Sequence, residues 1–398
     1  MSAPPAIAYT GTAFVDGALR EGVAVVIRDG LIDAVTRADD RHALRDVEFR
    51  DAGERVIAPG FVDIHIHGSG GCRAEEDPQG MARHVVRHGT TYFLPTMISN
   101  ELPAMLEAID VVRARMGRVD RGARIGGIHL EGPFLNPRYG AQRPETNIEP
   151  DPESVRALVD RCGPDLRLVT IAPERRGAID AIRAFRAAGA TVSVGHSDAD
   201  EDEFRAGRAA GITHATHLFN AMPPRQWPTY ETFDGTKGAG LEELILADDG
   251  MTADIICDRH GRHVNDTMLA IALKCKGSTG LSLITDAVPP AGLRPGSYPL
   301  GDGQTIVTVP DDDVSRLPCG ALCGSALSMS GALSNFMRHL NVGLETALSM
   351  VTEAPARAIG VFDRRGSLSP GKDADIVLLT GEGEVTMTTV GGELMFGG

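Results

Sequence analysis

Length, composition and charge narrow the possible classes of protein. The chain has 398 residues, enough for one large α/β domain with a smaller satellite. It carries 39 Lys and Arg against 54 Asp and Glu, so its formal net charge is −15. That excess of acid argues against nucleic acid or an anionic membrane as a partner, and an anionic substrate must meet local positive charge.

The sequence gives no sign of export or membrane insertion. Residues Met1 to Thr10 form neither a basic nor an apolar stretch, and no run is long and apolar enough to span a membrane. The six cysteines have no framework spacing, and Cys319 and Cys323 lack the second pair that a structural zinc site needs. We therefore expect a cytoplasmic protein with reduced thiols.

The two ends of the chain predict a small β-domain. Residues 6–57 contain short alternating strands with turn signals at Asp16-Gly17 and Asp29-Gly30. Residues 366–398 contain two further strand-like runs. We expect residues 1–57 and 366–398 to form one small β-sandwich domain beside the rest of the chain.

Between these flanks, apolar β-rich runs alternate with helical patterns. The eight apolar runs are 61–67, 90–96, 124–130, 167–172, 190–195, 213–217, 252–257 and 281–285. Helical spacing lies between them, as at Pro78–His88, Leu102–Arg118, Pro152–Cys162, Ala178–Ala188 and Glu201–Ala210. Eight such repeats predict an α/β fold, a (β/α)8 TIM-type barrel over residues 58–365. Residues 289–318, rich in Gly, Pro and Asp, are expected to form a long excursion after the eighth strand.

Metal-ligand side chains follow five of these runs at the point where each strand ends. They are His65 and His67, His129 and Glu131, His196, His217, and Asp286. Imidazole and carboxylate are ligands for borderline divalent ions, and a His-x-His pair on a strand points both rings to one face. A single strand-end histidine is more often a hydrogen-bonded polar residue. Five such segments at the catalytic end of a barrel favour a hydrolytic metal centre.

One carboxylate in this set is a candidate acid–base catalyst. Asp286, after the eighth strand, could take a proton from water and pass it to a departing amine nitrogen. Its alternative role is a helix N-cap. Asp63, two residues before His65, is expected to be a carboxylate that orients a ligand imidazole.

These residues lie in longer stretches that resemble the amidohydrolase superfamily, and within it the N-acetylglucosamine-6-phosphate deacetylase branch. The matching stretches are Ala58–Gly68, His129–Phe134, Ala172–Glu174, Gly195–Ser197, Thr216–Met222, Ile284–Asp286 and Pro370–Ile376. The segments His-Leu-Glu-Gly-Pro and His-Leu-Phe-Asn-Ala-Met are specific to that branch. The resemblance covers nearly the whole chain.

The resemblance implies a ligand set for divalent metal, with zinc as the first choice and iron as the alternative. It places one ion on Glu131, His196 and His217, and a second on His65 and His67, with Glu131 bridging. Asp286 completes the set. Members with one ion often lack the histidine pair, so one or two ions per subunit remain open. Many relatives bridge two metals through a carbamylated lysine on strand four. This chain cannot use that bridge, because it has no lysine before Lys237.

The resemblance also implies substrate contacts and a homodimer acting on a small-molecule amino sugar. Asn220 and Ala221 match the substrate-binding segment. His263 matches a histidine that contacts substrate, often in the partner subunit's site, with His260 as the competing position. Gln142 stands where the family usually has histidine, and Arg225 is the candidate phosphate clamp in an altered loop that also contains Trp227.

Two other classes of function compete with a deacetylase. A nucleobase deaminase on the same barrel would share the His-x-His pair and the strand-eight aspartate, but not the two branch-specific segments. A non-catalytic barrel used for assembly would have lost its ligands, and all of them are present in this sequence.

Overall fold

The computed structural model describes residues 6–40, 44–223, 238–300 and 304–398. The first four strands are β1 (Ala6–Val15), β2 (Ala18–Arg28), β3 (Leu31–Arg37) and β4 (Val47–Pro59). The strands that follow are β5 (Phe61–Ile66), β6 (Gly68–Ser69), β7 (Cys72–Arg73), β8 (Thr90–Ile98), β9 (Arg124–Ile125), β10 (Ile128–Glu131), β11 (Leu166–Ile171), β12 (Thr191–Val194), β13 (Ile212–Ala215), β14 (Thr252–Ile256) and β15 (Leu281–Ile284). The last strands are β16 (Gly296–Pro299), β17 (Thr305–Thr308), β18 (Val314–Arg316), β19 (Leu322–Ser325), β20 (Ile376–Leu379), β21 (Val385–Val390) and β22 (Glu393–Gly397).

Helices separate the strands of the central part. They are α1 (Pro78–Val85), α2 (Leu102–Arg113), α3 (Pro152–Cys162), α4 (Ala178–Ala187), α5 (Glu201–Ala210), α6 (Leu241–Ala247), α7 (Asp266–Gly280), α8 (Met329–Leu340), α9 (Leu344–Val351) and α10 (Glu353–Ala358). Short 3-10 turns lie at Val86–His88, Pro144–Thr146 and Gly163–Asp165. Among the described residues, no helix combines the length and the apolar character that crossing a bilayer needs.

Both chain ends contribute to one sheet, as predicted. Its strand order is β22-β21-β20-β4-β1-β2-β3, with β1 and β4 parallel and the other neighbours antiparallel. Register shifts near Gly11 interrupt the pairing of β1 with both its neighbours, which is the kind of irregularity that bends a strand. Apolar side chains cover both faces of the sheet, in one cluster around Tyr9 and Ile57 and another around Ala8 and Val26.

The eight predicted central strands form the predicted parallel barrel. Neighbours follow the order β5-β8-β10-β11-β12-β13-β14-β15, and β9 pairs with β8. The ring closes where the Asp286 amide donates to the His65 carbonyl at 2.9 Å and Ile66 bridges Ala287. The carboxyl ends of all eight strands therefore surround one mouth.

The helices begin and end at residues that satisfy their free backbone groups. At α5 the Asp200 carboxylate accepts from the Glu203 amide, and the Glu203 carboxylate accepts from the Asp200 amide, both at 2.9 Å. A cap of this kind contributes about 1 kcal/mol. Phe204, Gly207 and Ala210 recur at a spacing of three and are buried, so this face of α5 packs inward.

The excursion after the eighth strand is itself a small antiparallel sheet. Its order is β16-β17-β18-β19, and a bridge between Ala287 and Ser325 ties it to the end of β15. This sheet stands over the barrel mouth, where it supplies one wall of a cavity.

The terminal sheet meets the barrel at a short junction. Strand β4 ends at Pro59 and β5 begins at Phe61, while β20 pairs with the last four residues of β4. We keep the division into a β-domain of residues 1–57 with 366–398 and a barrel of residues 58–365 as a proposal.

Candidate metal centre

Strand ends deliver six ligand-type side chains to the middle of the barrel mouth. His65 lies on β5 with His67 just after it, and Glu131 ends β10. His196, His217 and Asp286 each follow the last residue of their strand by two positions. All six side chains are at most 11% exposed, so their charges face one another and not water.

The first group of three joins Glu131, His196 and His217. The Oε1 atom of Glu131 lies 2.9 Å from Nε2 of His196 and 3.1 Å from Nε2 of His217. The two Nε2 atoms are themselves 2.9 Å apart. Ligand atoms of one four-coordinate zinc ion are separated by roughly 3.3 Å, so this spacing suits a shared ion.

The second group joins His65, His67 and Asp286. Nε2 of His67 lies 3.1 Å from Oδ1 of Asp286, and Nε2 of His65 lies 3.5 Å from the same oxygen. The two imidazole nitrogens are 3.2 Å apart. Each group therefore offers three donor atoms that could hold one metal ion.

Glu131 connects the two groups. Its Oε1 contacts His65 at 3.4 Å as well as the two imidazoles of its own group, and its Oε2 lies 3.4 Å from Nε2 of His67. One carboxylate thus faces both sets of donors. That is the geometry a bridging ligand requires, and lysine is not needed for it.

Backbone carbonyls set the hydrogen position on two of the imidazoles. Nδ1 of His196 lies 3.1 Å from the Tyr139 carbonyl, and Nδ1 of His67 lies 3.1 Å from the Thr96 carbonyl. Each Nδ1–H donates to its carbonyl, which leaves a lone pair on Nε2 inside the donor group. This is the form of histidine that binds a cation, so the donor set fits a divalent metal.

The buried charges shift one another's pKa. Burial opposes ionisation of Glu131, but the surrounding imidazoles outweigh it and hold the pKa of Glu131 well below its usual range. Burial also opposes the charged form of His217 and by itself would lower the pKa of that ring. The Glu131 contact and the charges of Asp286 and Asp254 outweigh burial and raise the pKa of His217 to about 9. Without an ion, the centre holds protons that a cation would displace.

The three loop residues of the centre share a left-handed backbone. Their φ angles are 49° at His196, 32° at His217 and 46° at Asp286, a region that residues other than glycine adopt rarely. Gly140 permits a further close approach, since a Cβ there would lie 2.3 Å from Nδ1 of His196. Strained backbone of this kind clusters at functional sites.

Buried carboxylates behind the centre hold these strand ends in place. Asp254 accepts hydrogen bonds from the His217 amide and from Nε2 of His214, the latter at 3.1 Å. Asp63 accepts from the hydroxyl of Thr285 at 2.6 Å and from the His65 amide at 3.3 Å. Asp63 therefore joins β5 to Thr285, which directly follows β15, through the Thr285 hydroxyl and the His65 amide. Its predicted role in orienting a ligand imidazole stays a prediction.

His129 lies beneath the centre and has other partners. Its Nδ1 lies 3.1 Å from the Ile64 carbonyl and its Nε2 lies 2.9 Å from the Thr170 hydroxyl. That hydroxyl continues to Thr216 at 2.8 Å. Both ring nitrogens are used within the barrel interior, as expected for a structural histidine.

A cavity of about 310 Å³ opens above the centre. Four of the five predicted substrate-binding residues line it: Gln142, Asn220, Ala221 and His263. Gln142 also touches the centre, because its Nε2 lies 3.2 Å from Nδ1 of His196. The fifth, Arg225, lies outside the described residues, as does Trp227.

His260 and His263, the two candidates for the substrate-contacting histidine, lie in different surroundings. Nε2 of His260 contacts the Asp311 carbonyl at 2.7 Å on the exposed surface. His263 lines the cavity of its own chain and is nearly fully buried. One chain therefore brings this histidine to the same cavity as the candidate ligands.

Sequence reasoning missed part of the cavity wall. Arg73 and Glu75 line it from the segment of the hairpin that follows His67. Leu300 and Gln304, between β16 and β17, and Cys323, on β19, line it from the other side. The Arg73 guanidinium is paired with the Glu75 carboxylate. An Arg and a Glu closely following a ligand pair were visible in the sequence, but nothing there indicated that the hairpin folds back over the mouth.

Comparison with known proteins shows which family the chain belongs to. The model of the amidohydrolase family matches residues 56–395, and the chain belongs to that family. The N-acetylglucosamine-6-phosphate deacetylase of Bacillus subtilis (strain 168) is 32% identical over 382 residues, which cover 94% of this chain and 92% of that protein. The N-acetylgalactosamine-6-phosphate deacetylase of Escherichia coli O157:H7 is 31% identical, covering 92% of this chain and 93% of that protein.

Solved structures of similar enzymes superpose on nearly the whole of this chain. The N-acetylglucosamine-6-phosphate deacetylase of Pasteurella multocida superposes with a TM-score of 0.87 at 28% identity, covering 98% of this chain and 99% of that one. A mutant of the Mycobacterium smegmatis enzyme, solved with N-acetyl-D-glucosamine-6-phosphate, gives a TM-score of 0.86 at 29% identity, covering 99% and 100%. The predicted resemblance and fold class are confirmed.

Proposed function

We propose that the protein is a metal-dependent deacetylase that hydrolyses N-acetyl-D-glucosamine 6-phosphate to D-glucosamine 6-phosphate and acetate. The observation that carries the proposal is the pair of three-donor groups meeting at Glu131 beneath a cavity. The relatives named above support the substrate class. The alternative substrate is a different N-acetyl amino sugar, and the E. coli relative makes the galactosamine epimer the first to test.

We assign Glu131, His196 and His217 to one divalent ion and His65, His67 and Asp286 to a second. Zinc is our first choice of ion, because nitrogen and carboxylate donors in small groups suit it, and iron is the alternative. When bound, the metal polarises the amide carbonyl and lowers the pKa of water, which are the two aids that a stable amide needs. The protein's part is to fix the donors in place.

Asp286 supplies the proton transfer in this proposal. Burial opposes its ionisation, but His65 and His67 outweigh that effect and lower the pKa of Asp286, so it is a carboxylate at neutral pH. A carboxylate at the cavity floor can take a proton from the attacking water and return it to the amine nitrogen as the C–N bond breaks. Acetate and the free amine are the products.

The decisive experiment measures which bond the purified protein breaks. We expect acetate and free amine from N-acetylglucosamine 6-phosphate, loss of turnover on chelation, and recovery on adding zinc or iron. N-acetylgalactosamine 6-phosphate and unphosphorylated N-acetylglucosamine are run in parallel. Ammonia released from adenine or cytosine, with no acetate from any sugar, would replace this proposal with a nucleobase deaminase.

Arg225 is our candidate for the phosphate clamp, because a guanidinium can grip phosphate bidentately. We expect Arg225→Ala to reduce the preference for the phosphorylated sugar by about ten- to a hundred-fold in kcat/KM, the range for charged hydrogen bonds. Equal kcat/KM values for both sugars in the unaltered protein would contradict phosphate recognition. The deacetylase chemistry would survive that outcome.

The assembly and location of the protein belong to the same proposal. We propose a homodimer in the cytoplasm, supported by the predicted family pattern and by six free cysteines. Light scattering of the purified protein tests the first part. A monomer at micromolar concentration would contradict it.

A further inference from the structure

The loop between β14 and α7 carries an aspartate whose carboxylate is fully enclosed by this loop. Oδ1 of Asp258 accepts from the amides of His260 at 3.1 Å and Arg262 at 2.8 Å, and Oδ2 accepts from the His263 amide at 2.8 Å. Burial opposes ionisation, yet these bonds and the His263 ring hold the pKa of Asp258 below its usual range. The carboxylate is therefore charged and fixed.

The Asp258 carboxylate also contacts the side chain of His263. Nδ1 of His263 lies 3.1 Å from Oδ2 of Asp258, so an ionised Asp258 requires the hydrogen on Nδ1. Nε2 of His263 is buried and, among the described residues, has no hydrogen-bond partner. Because the ring lines the cavity, its unused nitrogen is the atom left for a substrate.

Other contacts anchor this loop from outside. Nε2 of His339 lies 2.9 Å from the Asp258 carbonyl, and Asn335 donates to the Cys257 carbonyl at 3.1 Å. The Arg259 amide donates to Asp313 at 2.8 Å. These partners hold the backbone of the loop in addition to the bonds that the Asp258 carboxylate accepts.

We propose that Asp258 is a positioning residue, which holds His263 with Nδ1 protonated and Nε2 facing the cavity to bind the phosphate of the substrate. The proposal rests on the proposed function, since it takes a sugar phosphate as the ligand. A carboxylate partner fixes the ring orientation and keeps a hydrogen on Nδ1, as in catalytic triads. Nε2 of His263 is then held toward the cavity, where a proton shared with a phosphate oxygen would join the ring to the substrate.

The test is Asp258→Asn, which retains an oxygen for the His260 and Arg262 amides but turns an amide N–H toward Nδ1 and the backbone amide of His263. We expect KM for N-acetylglucosamine 6-phosphate to rise by about ten- to a hundred-fold, the range for one charged hydrogen bond, with little change in kcat. KM for unphosphorylated N-acetylglucosamine should stay nearly constant. The matched control is Asp266→Asn, which removes a carboxylate 2.7 Å from Nδ1 of His339 and is expected to leave both KM values unchanged.

Two further measurements distinguish a positioning role of Asp258 from a role in the stability of the fold alone. In spectra of protein labelled with ¹⁵N-histidine, the His263 signal, assigned by its loss in His263→Gln, should show the hydrogen on Nδ1 and change in Asp258→Asn. In the His263→Gln background, Asp258→Asn should raise KM no further, because it acts only through that ring. An additional loss in the double variant, or an unchanged His263 signal, would overturn the proposal.

The failure of this inference is distinguishable from failure of the proposed function. If the unaltered protein hydrolyses neither sugar, the proposed function fails, and the histidine spectra still report whether Asp258 controls the ring. If activity is normal but Asp258→Asn lowers kcat on both sugars equally, the positioning role is wrong and the deacetylase stands.

Discussion

At the scale of single residues, the metal centre divides into two donor groups that share Glu131. His196 and His217 belong to one group, and His65 and His67 to the other. If each group holds one ion, the unaltered protein should contain two ions per chain. We expect the His65→Ala, His67→Ala double variant to retain about half of the metal, measured by plasma mass spectrometry after dialysis.

The matched control for that experiment is His84→Ala. The His84 ring contacts the Ser69 hydroxyl at 2.8 Å and belongs to neither group, so full metal content is expected. Unchanged stoichiometry in the double variant would show that one ion suffices. His217→Ala is the complementary change and should remove the other ion.

Asp286 is the residue on which the proton transfer depends. Asp286→Asn preserves shape but cannot accept the proton, so we expect turnover to fall at least ~10²-fold, the lower end of what a positioned acid–base group supplies. Metal content is measured on the same sample. Turnover close to that of the unaltered protein, with metal still bound, would refute the assignment.

At the scale of elements, the partial burial of His88, in the 3-10 turn that follows α1, gives a pH-dependent stability. Burial first, then the charges of His84 and Arg87, lower the pKa of His88 to about 4. The unfolded chain, with an ordinary pKa of about 6.5, therefore binds more protons than the folded one between these values. Stability should fall as pH drops from about 6.5 to about 4.

His88→Gln removes this titration, so its melting temperature should fall less than that of the unaltered protein over the same pH range. The measurement is a thermal melt at intervals between pH 4 and pH 7. Parallel curves for the two proteins would contradict the shifted pKa of His88.

The elements also show what the sequence could and could not predict. All eight barrel strands and the five named helices are present, because apolar runs and capping residues are local signals. The third strand is interrupted between Ile125 and Ile128, a detail that the apolar run did not indicate. The Tyr92 ring from β8 packs against this break, where a Cβ at Gly126 would lie 1.9 Å from the ring. Helix α2 ends at Arg113 and not at the predicted Arg118, since Gly117 pairs with Ile125 instead.

The residues of the candidate site also fall into those that the sequence could predict and those that it could not. The ligand-type residues were predictable because each lies at or just after the carboxyl end of a strand, and a barrel brings those ends together. The positioning roles of Asp254 and Asp258 were not predicted, since their partners are backbone amides and rings in loops whose paths only the fold defines. Arg73 and Glu75 were also not predicted as cavity-lining residues, because they reach the cavity only where the hairpin after His67 turns back over the barrel mouth.

At the scale of the whole molecule, one buried arginine joins the barrel to the terminal sheet. Arg365 pairs with Asp373 and with Asp375, which directly precedes β20, and its guanidinium lies 4.8 Å from the Tyr92 ring centroid on β8. The Asp375 carbonyl in turn accepts from the Gly60 amide at 2.8 Å, between β4 and β5. Removing Arg365 would therefore leave a buried carboxylate without its cation.

We expect Arg365→Met to lower the free energy of unfolding by about 3–5 kcal/mol, the usual effect of breaking a buried ion pair from one side. The control is its neighbour Arg364→Met. The Arg364 side chain is 53% exposed and, within the part of the chain that the structure describes, pairs only with Asp373, so a loss of about 0–1 kcal/mol is expected. Urea unfolding gives both values. Neither arginine lines the cavity, so kcat of the folded, metal-loaded variants should match the unaltered protein. Equal destabilisation by the two changes would mean that the buried pair is not what holds the sheet to the barrel.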